Sequence, residues 1–75
     1  MKKFTKEQLE QRFVDLGITE SEKKIIKSKL ANRKFLLSEI IDMRYFFVGK
    51  QMYLSVVSES ARYDCLREVR IPFKA

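Results

Sequence analysis

The residues with the clearest chemical potential are the basic ones between positions 23 and 34. This stretch carries six Lys or Arg residues and no Asp or Glu, in a chain whose formal net charge is +6. Cationic side chains neutralise phosphates and release counterions, which gives affinity for nucleic acid without reading its sequence. The residues that we predict to contact nucleic acid are Lys23, Lys24, Lys27, Arg33 and Lys34.

An ordinary solvated helix face is the competing interpretation of the same stretch. Solvated helices usually intersperse acids that form pairs with lysines three or four residues away. No acid is available within residues 23–34, so a phosphate-binding surface and a solvated face both stay open. In either case we expect the side chains of Lys23, Lys24 and Lys27 to be exposed.

A second candidate site lies in the apolar part of the chain. Between Phe35 and Val57, 15 of 23 residues are apolar or aromatic, and a small sheet with helices on one side can bury only one of its faces. The other face needs cover from a second copy or from a different protein, unless these residues are ordinary core. Aromatic residues beside basic ones could also stack single-stranded bases. The residues that we predict to bind a partner are Arg44, Phe46, Lys50 and Tyr53.

Several chemistries are excluded or unsupported by the residue types. The chain has no histidine and a single cysteine, Cys65, so it cannot assemble a Cys/His metal site or an intramolecular disulfide. There is no glycine-rich phosphate loop and no Gly-x-Ser-x-Gly nucleophile elbow. We therefore predict that the protein is not an enzyme and uses no metal and no other cofactor.

Two helices must position the basic stretch. Thr5 and Gln8 form a capping-box pattern, and Gly17 is a natural stop, which predicts helix 1 over residues 5–16. A second capping box at Thr19 and Glu22 predicts helix 2 over residues 19–31.

Residues 33–42 are ambiguous. Their apolar residues fit a short helix, and they also alternate as a strand would. We favour a short third helix over residues 36–42.

The rest of the chain predicts strands. Runs rich in β-branched and aromatic residues predict a hairpin, 44–48 paired with 52–57, with Gly49 suited to a type II′ turn. Residues 58–64 suggest a polar connection, and alternation predicts a third antiparallel strand over residues 66–73. Its Pro72 favours a sheet edge. The prediction is one small α+β domain spanning residues 1–75, with helices on one face of the sheet.

The predicted element order resembles that of a winged-helix domain, with residues 44–57 as the wing. The resemblance is one of topology, and it implies that the third helix would read a DNA groove. That segment, residues 35–42, has no Arg, Lys, Asn or Gln to meet base edges. Any DNA contact is therefore expected from helix 2, led by the phosphate backbone.

We thus predict a small basic binding protein that acts as a nucleic-acid-associated regulator through lysine-rich helix 2. The alternative is a protein-binding module or inhibitor that occludes a site on a larger partner through its apolar hairpin. In type it resembles small basic inhibitors made by mobile elements. DNA, RNA, a protein with an acidic or nucleic-acid-binding surface, and a homodimer all stay open as partners.

The location predicted from the sequence is the cytoplasm, without membrane contact. Charged residues interrupt any signal-peptide core near the first residues, and the longest uncharged run, residues 51–58, falls far short of the roughly 20 residues of a spanning helix.

Overall fold

The computed structural model describes residues 3–60 and 64–72. Two α-helices are followed by a short 3-10 turn and three strands, which form one antiparallel sheet in the order β1-β2-β3. The α+β class predicted from the sequence is confirmed. The elements are α1 (Lys6–Asp15), α2 (Glu20–Asn32), the 3-10 turn (Leu37–Glu39), β1 (Ile40–Val48), β2 (Gln51–Ser60) and β3 (Cys65–Pro72).

Both predicted helices and both capping boxes are confirmed. At the start of α1, the Gln8 backbone N–H donates to Thr5 Oγ1 over 3.1 Å, and the Gln8 side chain accepts from the Thr5 N–H over 2.9 Å. Thr19 and Glu22 repeat this arrangement at the start of α2. Each box satisfies two of the backbone N–H groups that a helix start leaves without partners.

The predicted third helix over residues 36–42 is wrong in type and extent. Only Leu37–Glu39 form a helical turn, of the 3-10 kind, and the chain is extended from Ile40 onward. Ile40 pairs with Ser58, and its carbonyl accepts from the Phe4 N–H over 2.8 Å, so long-range pairing overrides the local helical spacing. Among the described residues there is then no third α-helix to complete a winged-helix order.

The predicted hairpin is confirmed, with longer strands than expected. Gly49 has φ +60°, and the next residue of the turn, Lys50, does not have a positive φ. A type II′ turn requires this combination of signs at its two central residues. Residues 58–60, expected in a polar connection, belong to β2. The third strand is confirmed up to Pro72 at the sheet edge, and its predicted last residue, Phe73, lies outside the described residues.

The two faces of the sheet differ in what covers them. One face carries Met43, Leu54 and Val56, which form the core together with buried residues of both helices such as Phe13 and Ile26. The opposite side chains, by strand alternation and register, point away from the helices. We call this surface the open face; its residues are Asp42, Arg44, Phe46, Val48, Gln51, Tyr53, Ser55, Val57, Glu59, Leu66, Glu68, Arg70 and Pro72.

No helix within the described part of the chain is long and apolar enough to cross a membrane.

Candidate functional site

The N-terminal half of α2 carries lysines that already have partners. Lys23 Nζ lies 2.6 Å from Glu10 Oε2 on α1 and 3.0 Å from Glu20 Oε1, and Lys27 Nζ lies 3.4 Å from Glu10 Oε1. Only 12% of the Lys23 side chain is exposed, so the expected exposure of this residue is wrong. The acid that the basic stretch lacks is supplied by the neighbouring helix.

The same two lysines also lie over an aromatic ring. Lys23 Nζ and Lys27 Nζ are 5.5 Å and 6.0 Å from the centre of the Phe13 ring, within the range of cation–π attraction. Phe13 itself is fully buried on α1. Both lysines therefore connect α2 to α1, a structural role that leaves less of their charge available to a ligand.

The Glu10–Lys23 pair shifts the titration of both groups. The hydrogen bond from Lys23 lowers the pKa of Glu10 more than burial raises it, and the positive charges of Lys23 and Lys27 lower it further. The hydrogen bonds to Glu10 and Glu20 raise the pKa of Lys23. Both shifts favour the charged pair.

The C-terminal end of α2 is built differently. The N–H of Phe35 donates to the Leu30 carbonyl over 2.9 Å and that of Lys34 to the Ala31 carbonyl over 3.0 Å, which is a Schellman motif. Its left-handed position is normally glycine, and here it is Lys34, with φ +59°. A left-handed backbone costs a residue with a side chain about 1–2 kcal/mol, so this lysine is held at some cost in stability.

Four cations gather at this end. Arg67 of β3 stacks its guanidinium 4.7 Å from the centre of the Phe35 ring and donates to the Arg33 carbonyl over 3.2 Å. This contact brings β3 against the end of the helix that carries Lys29, Arg33 and Lys34. We call Lys29, Arg33, Lys34 and Arg67 the C-terminal basic cluster.

The cluster borders a small pocket, and its three cations at the end of α2 lack acidic partners among the described residues. The pocket holds about 230 Å³ and is lined by Lys29, Asn32, Arg33, Ile71 and Pro72. Within residues 3–60 and 64–72, no carboxylate lies within ion-pair distance of Lys29, Arg33 or Lys34. The surface is therefore positive and offers both charged and amide donors to an anion.

The predicted nucleic-acid residues are thus separated by the structure. Arg33 and Lys34 lie in the C-terminal basic cluster, whereas Lys23 and Lys27 are bound to Glu10. Lys24 is exposed on α2 and has no ion pair among the described residues. Arg67 was not among the residues predicted from the sequence, although its alternation with Val69 and Ile71 could have placed it on the helix side of β3.

Three of the four predicted partner residues share the open face. Arg44, Phe46 and Tyr53 lie there, while Lys50 is in the β1–β2 turn. Arg70, which was not among the residues predicted from the sequence, also lies on this face, with its guanidinium 4.3 Å from the centre of the Phe46 ring.

The open face also carries hydrogen-bonded and charged groups. The Ser55 hydroxyl donates to Glu68 Oε2 over 2.6 Å, and this bond, helped by the charge of Arg70, lowers the pKa of Glu68. The described residues contain no group of three or more potential metal ligands.

Comparisons of the chain with protein-family models, curated proteins and solved structures found no match.

Proposed function

We propose that the protein is a non-enzymatic, nucleic-acid-associated regulator whose C-terminal basic cluster binds phosphates. The observation that carries the proposal is a pocket lined by Lys29 and Arg33, with no acid in its lining. Lys34 follows Arg33 in the chain, and Arg67 donates to the Arg33 carbonyl. We propose the contact at the C-terminal end of helix 2 and not along its whole length, because Glu10 already pairs with Lys23 and Lys27 in the other half.

The helix dipole explains only part of this cluster. A cation near the end of a helix gains typically 0.3–1 kcal/mol from the dipole, which accounts for Lys29 in the last turn. The dipole does not explain why position 34, where the backbone is left-handed, is Lys34 and not glycine, since a side chain there lowers stability. Residues kept in unfavourable backbone conformations concentrate at functional sites, and this supports a role for the Lys34 charge.

Phosphate binding by the cluster predicts how steeply the affinity for nucleic acid falls with salt concentration. Each phosphate contact on duplex DNA contributes about 0.9 to the slope of log affinity against log salt. Four contacts therefore predict a slope of about −3.6, and a loss of affinity of about a hundredfold between 50 and 200 mM salt.

The experiment is fluorescence-anisotropy binding to short duplex DNA, single-stranded DNA and RNA across that salt range. We expect the triple variant Lys29→Gln, Arg33→Gln, Lys34→Gln to lose more than tenfold in affinity at about 50 mM salt and to have a much flatter slope. The duplex-to-single-strand ratio identifies the preferred nucleic acid.

A matched control removes the same charge elsewhere. Lys6, Lys24 and Lys50 are exposed and lie outside the cluster, so changing all three to Gln should retain most of the affinity. Equal losses in both triple variants would mean that only net charge matters. Absence of binding by the unmodified protein at 50 mM salt would reject the proposal.

The alternative function, a protein-binding module or inhibitor, is favoured by a separate observation. Phe46, Val48 and Leu66 are exposed on the open face, which contains no residue of the C-terminal basic cluster. Substituting Phe46 or Tyr53 with Ser should remove a contact of this kind and leave nucleic-acid binding by the cluster unchanged.

A further inference from the structure

The charges of the open face are arranged in rows across the strands. Arg44 and Arg70 stand in one row, on either side of Ser55. Asp42 and Glu68 stand in the next row, on either side of Val57. The two rows are neighbours along the strands, about 6.6 Å apart, so a basic row lies directly beside an acidic row.

Apolar residues flank these two rows. Phe46, Tyr53 and Pro72 form a row beyond the arginines, and Leu66 lies beyond the acids, opposite Glu59. Phe46 is 37% exposed and Leu66 54%. The face therefore combines a charged centre with apolar margins, which is a pattern suited to protein contact.

The balance of charge argues against nucleic acid at this surface. The open face carries three carboxylates, Asp42, Glu59 and Glu68, against two arginines. A surface without excess positive charge gains little affinity from counterion release at phosphates. A partner with both signs of charge in matching positions fits better.

We propose that the open face binds a second copy of this chain, related by a two-fold axis that lies in the interface and runs across the strands between the two charged rows. Packed sheets keep their strand directions within about 30° of each other, and this axis satisfies that condition with antiparallel strands. It also places the acidic row of each copy over the basic row of the other.

The register gives the pairs that this symmetry creates. Asp42 of each copy faces Arg44 of the other, and Glu68 faces Arg70. In the apolar margins, Leu66 of each copy faces Pro72 of the other. The alternative in-plane axis, which runs along the strands, would place arginine over arginine and carboxylate over carboxylate. Only the first axis is electrostatically favourable.

The existing ion pairs on this face leave room for the second copy. Arg44 Nε is 3.5 Å from Asp42 Oδ2, and Arg70 Nη2 is 3.6 Å from Glu68 Oε1, both long for ion pairs with side chains that remain substantially exposed. A guanidinium has five N–H donors in a planar fork, so each arginine can keep its neighbour and bind a carboxylate of the other copy.

The size of the face sets the expected strength. Three strands about 4.8 Å apart, with about 3.3 Å per residue, make a face of a few hundred Å², below the roughly 800 Å² per partner of a standard interface. The dimer should therefore be weak, in the class of small interfaces. This inference does not rest on nucleic-acid binding. No residue of the C-terminal basic cluster is on the open face, and the two surfaces meet at Pro72, which also lines the pocket beside the cluster.

Analytical ultracentrifugation at about 5–500 µM protein tests the arrangement through charge reversal. Arg70→Glu places carboxylates opposite Glu68 of the other copy, and Glu68→Arg places arginines opposite Arg70. Each variant alone should raise the dissociation constant at least about tenfold. An equimolar mixture of the two should dimerise as the unmodified protein does, because each substituted residue then faces its opposite charge.

The mixing result also shows that both variants are folded, and circular dichroism checks each one separately. Leu66→Ser should weaken the dimer, whereas the control Leu36→Ser changes an equally exposed leucine, 57% exposed, outside the face and should not. A protein that stays monomeric at 500 µM overturns the proposal. A dimer insensitive to Leu66→Ser, or a charge-reversed mixture that remains monomeric, overturns it equally.

Discussion

The two ends of α2 differ in the partners of their lysines and in how the helix is capped. The N-terminal end has a capping box, two acids in its first turn, and lysines that are paired with Glu10 and stacked over Phe13. The C-terminal end has cations without acidic partners among the described residues, and a lysine in the left-handed position that glycine normally occupies.

The difference separates two uses of the same residue type. At the first end, the charges of Lys23 and Lys27 are paired with Glu10 and hold two helices together. At the second end, the cations have no acidic partner among the described residues, and Lys34 occupies a left-handed position at which glycine would be more stable. A basic stretch that looks uniform in sequence thus contains a structural half and a half suited to binding, and variants at each end can test this division.

The largest expected effect is the loss of the cap at the N-terminal end. Thr19→Ala removes the oxygen that accepts from the Glu22 N–H over 3.2 Å, and should lower the free energy of unfolding by about 1 kcal/mol. Urea unfolding measures the change. Ser28→Ala, an exposed position inside the same helix, should alter stability by less than about 0.5 kcal/mol in the destabilising direction. Equal stability of Thr19→Ala and the unmodified protein would contradict a stabilising role for this end.

The opposite sign is expected at the other end. Lys34→Gly relieves the left-handed strain at φ +59° and should raise the free energy of unfolding by about 0.5–1 kcal/mol, after the greater freedom of glycine in the unfolded chain is allowed for. It should also make the salt slope of nucleic-acid binding shallower by about 0.9. Lys34→Ala is the control, because it removes the charge but keeps the strain. If alanine stabilises as much as glycine, strain at this position is not the cause.

The smallest effect concerns pH at the paired end. Because the folded protein lowers the pKa of Glu10, its pair contributes stability above the unfolded value of about 4.3 and loses that contribution as pH falls through the folded pKa. Because the pKa of Lys23 is raised, the contribution is also lost as pH rises beyond about 10.4.

Glu10→Gln should flatten both limbs of the stability curve, measured by thermal unfolding across pH. Lys23→Gln should flatten the acid limb in the same way, since it removes the main cause of the lowered Glu10 pKa. An acid limb that Glu10→Gln leaves unchanged would assign the pH dependence to other groups. In Glu10→Gln, Lys27 loses its acidic partner and should add to nucleic-acid affinity. Such a gain would show that pairing with Glu10 keeps this lysine from binding phosphates.

Local features of the chain were predictable because their physical causes are local. Thr5 and Thr19 cap helices through bonds to residues three positions later, and Gly49 sets a two-residue turn. The third helix was wrongly predicted because Ile40 pairs as a strand residue with Ser58, 18 residues away. The pairing of Lys23 and Lys27 with Glu10 was not predicted for the same reason, since Glu10 belongs to a different helix.

The α+β class was predictable from the amino-acid order alone, as were both helix starts, the hairpin and the concentration of positive charge in residues 23–34. These follow from capping, periodicity and composition, which act over a few residues. Which of those charges remain available depends instead on how the helices and the sheet pack together. Packing of α1 on α2 brought Glu10 to Lys23 and Lys27, and packing of β3 on the end of α2 brought Arg67 to Arg33. Such neighbours are set by burial of the core, and no local pattern in the chain encodes them.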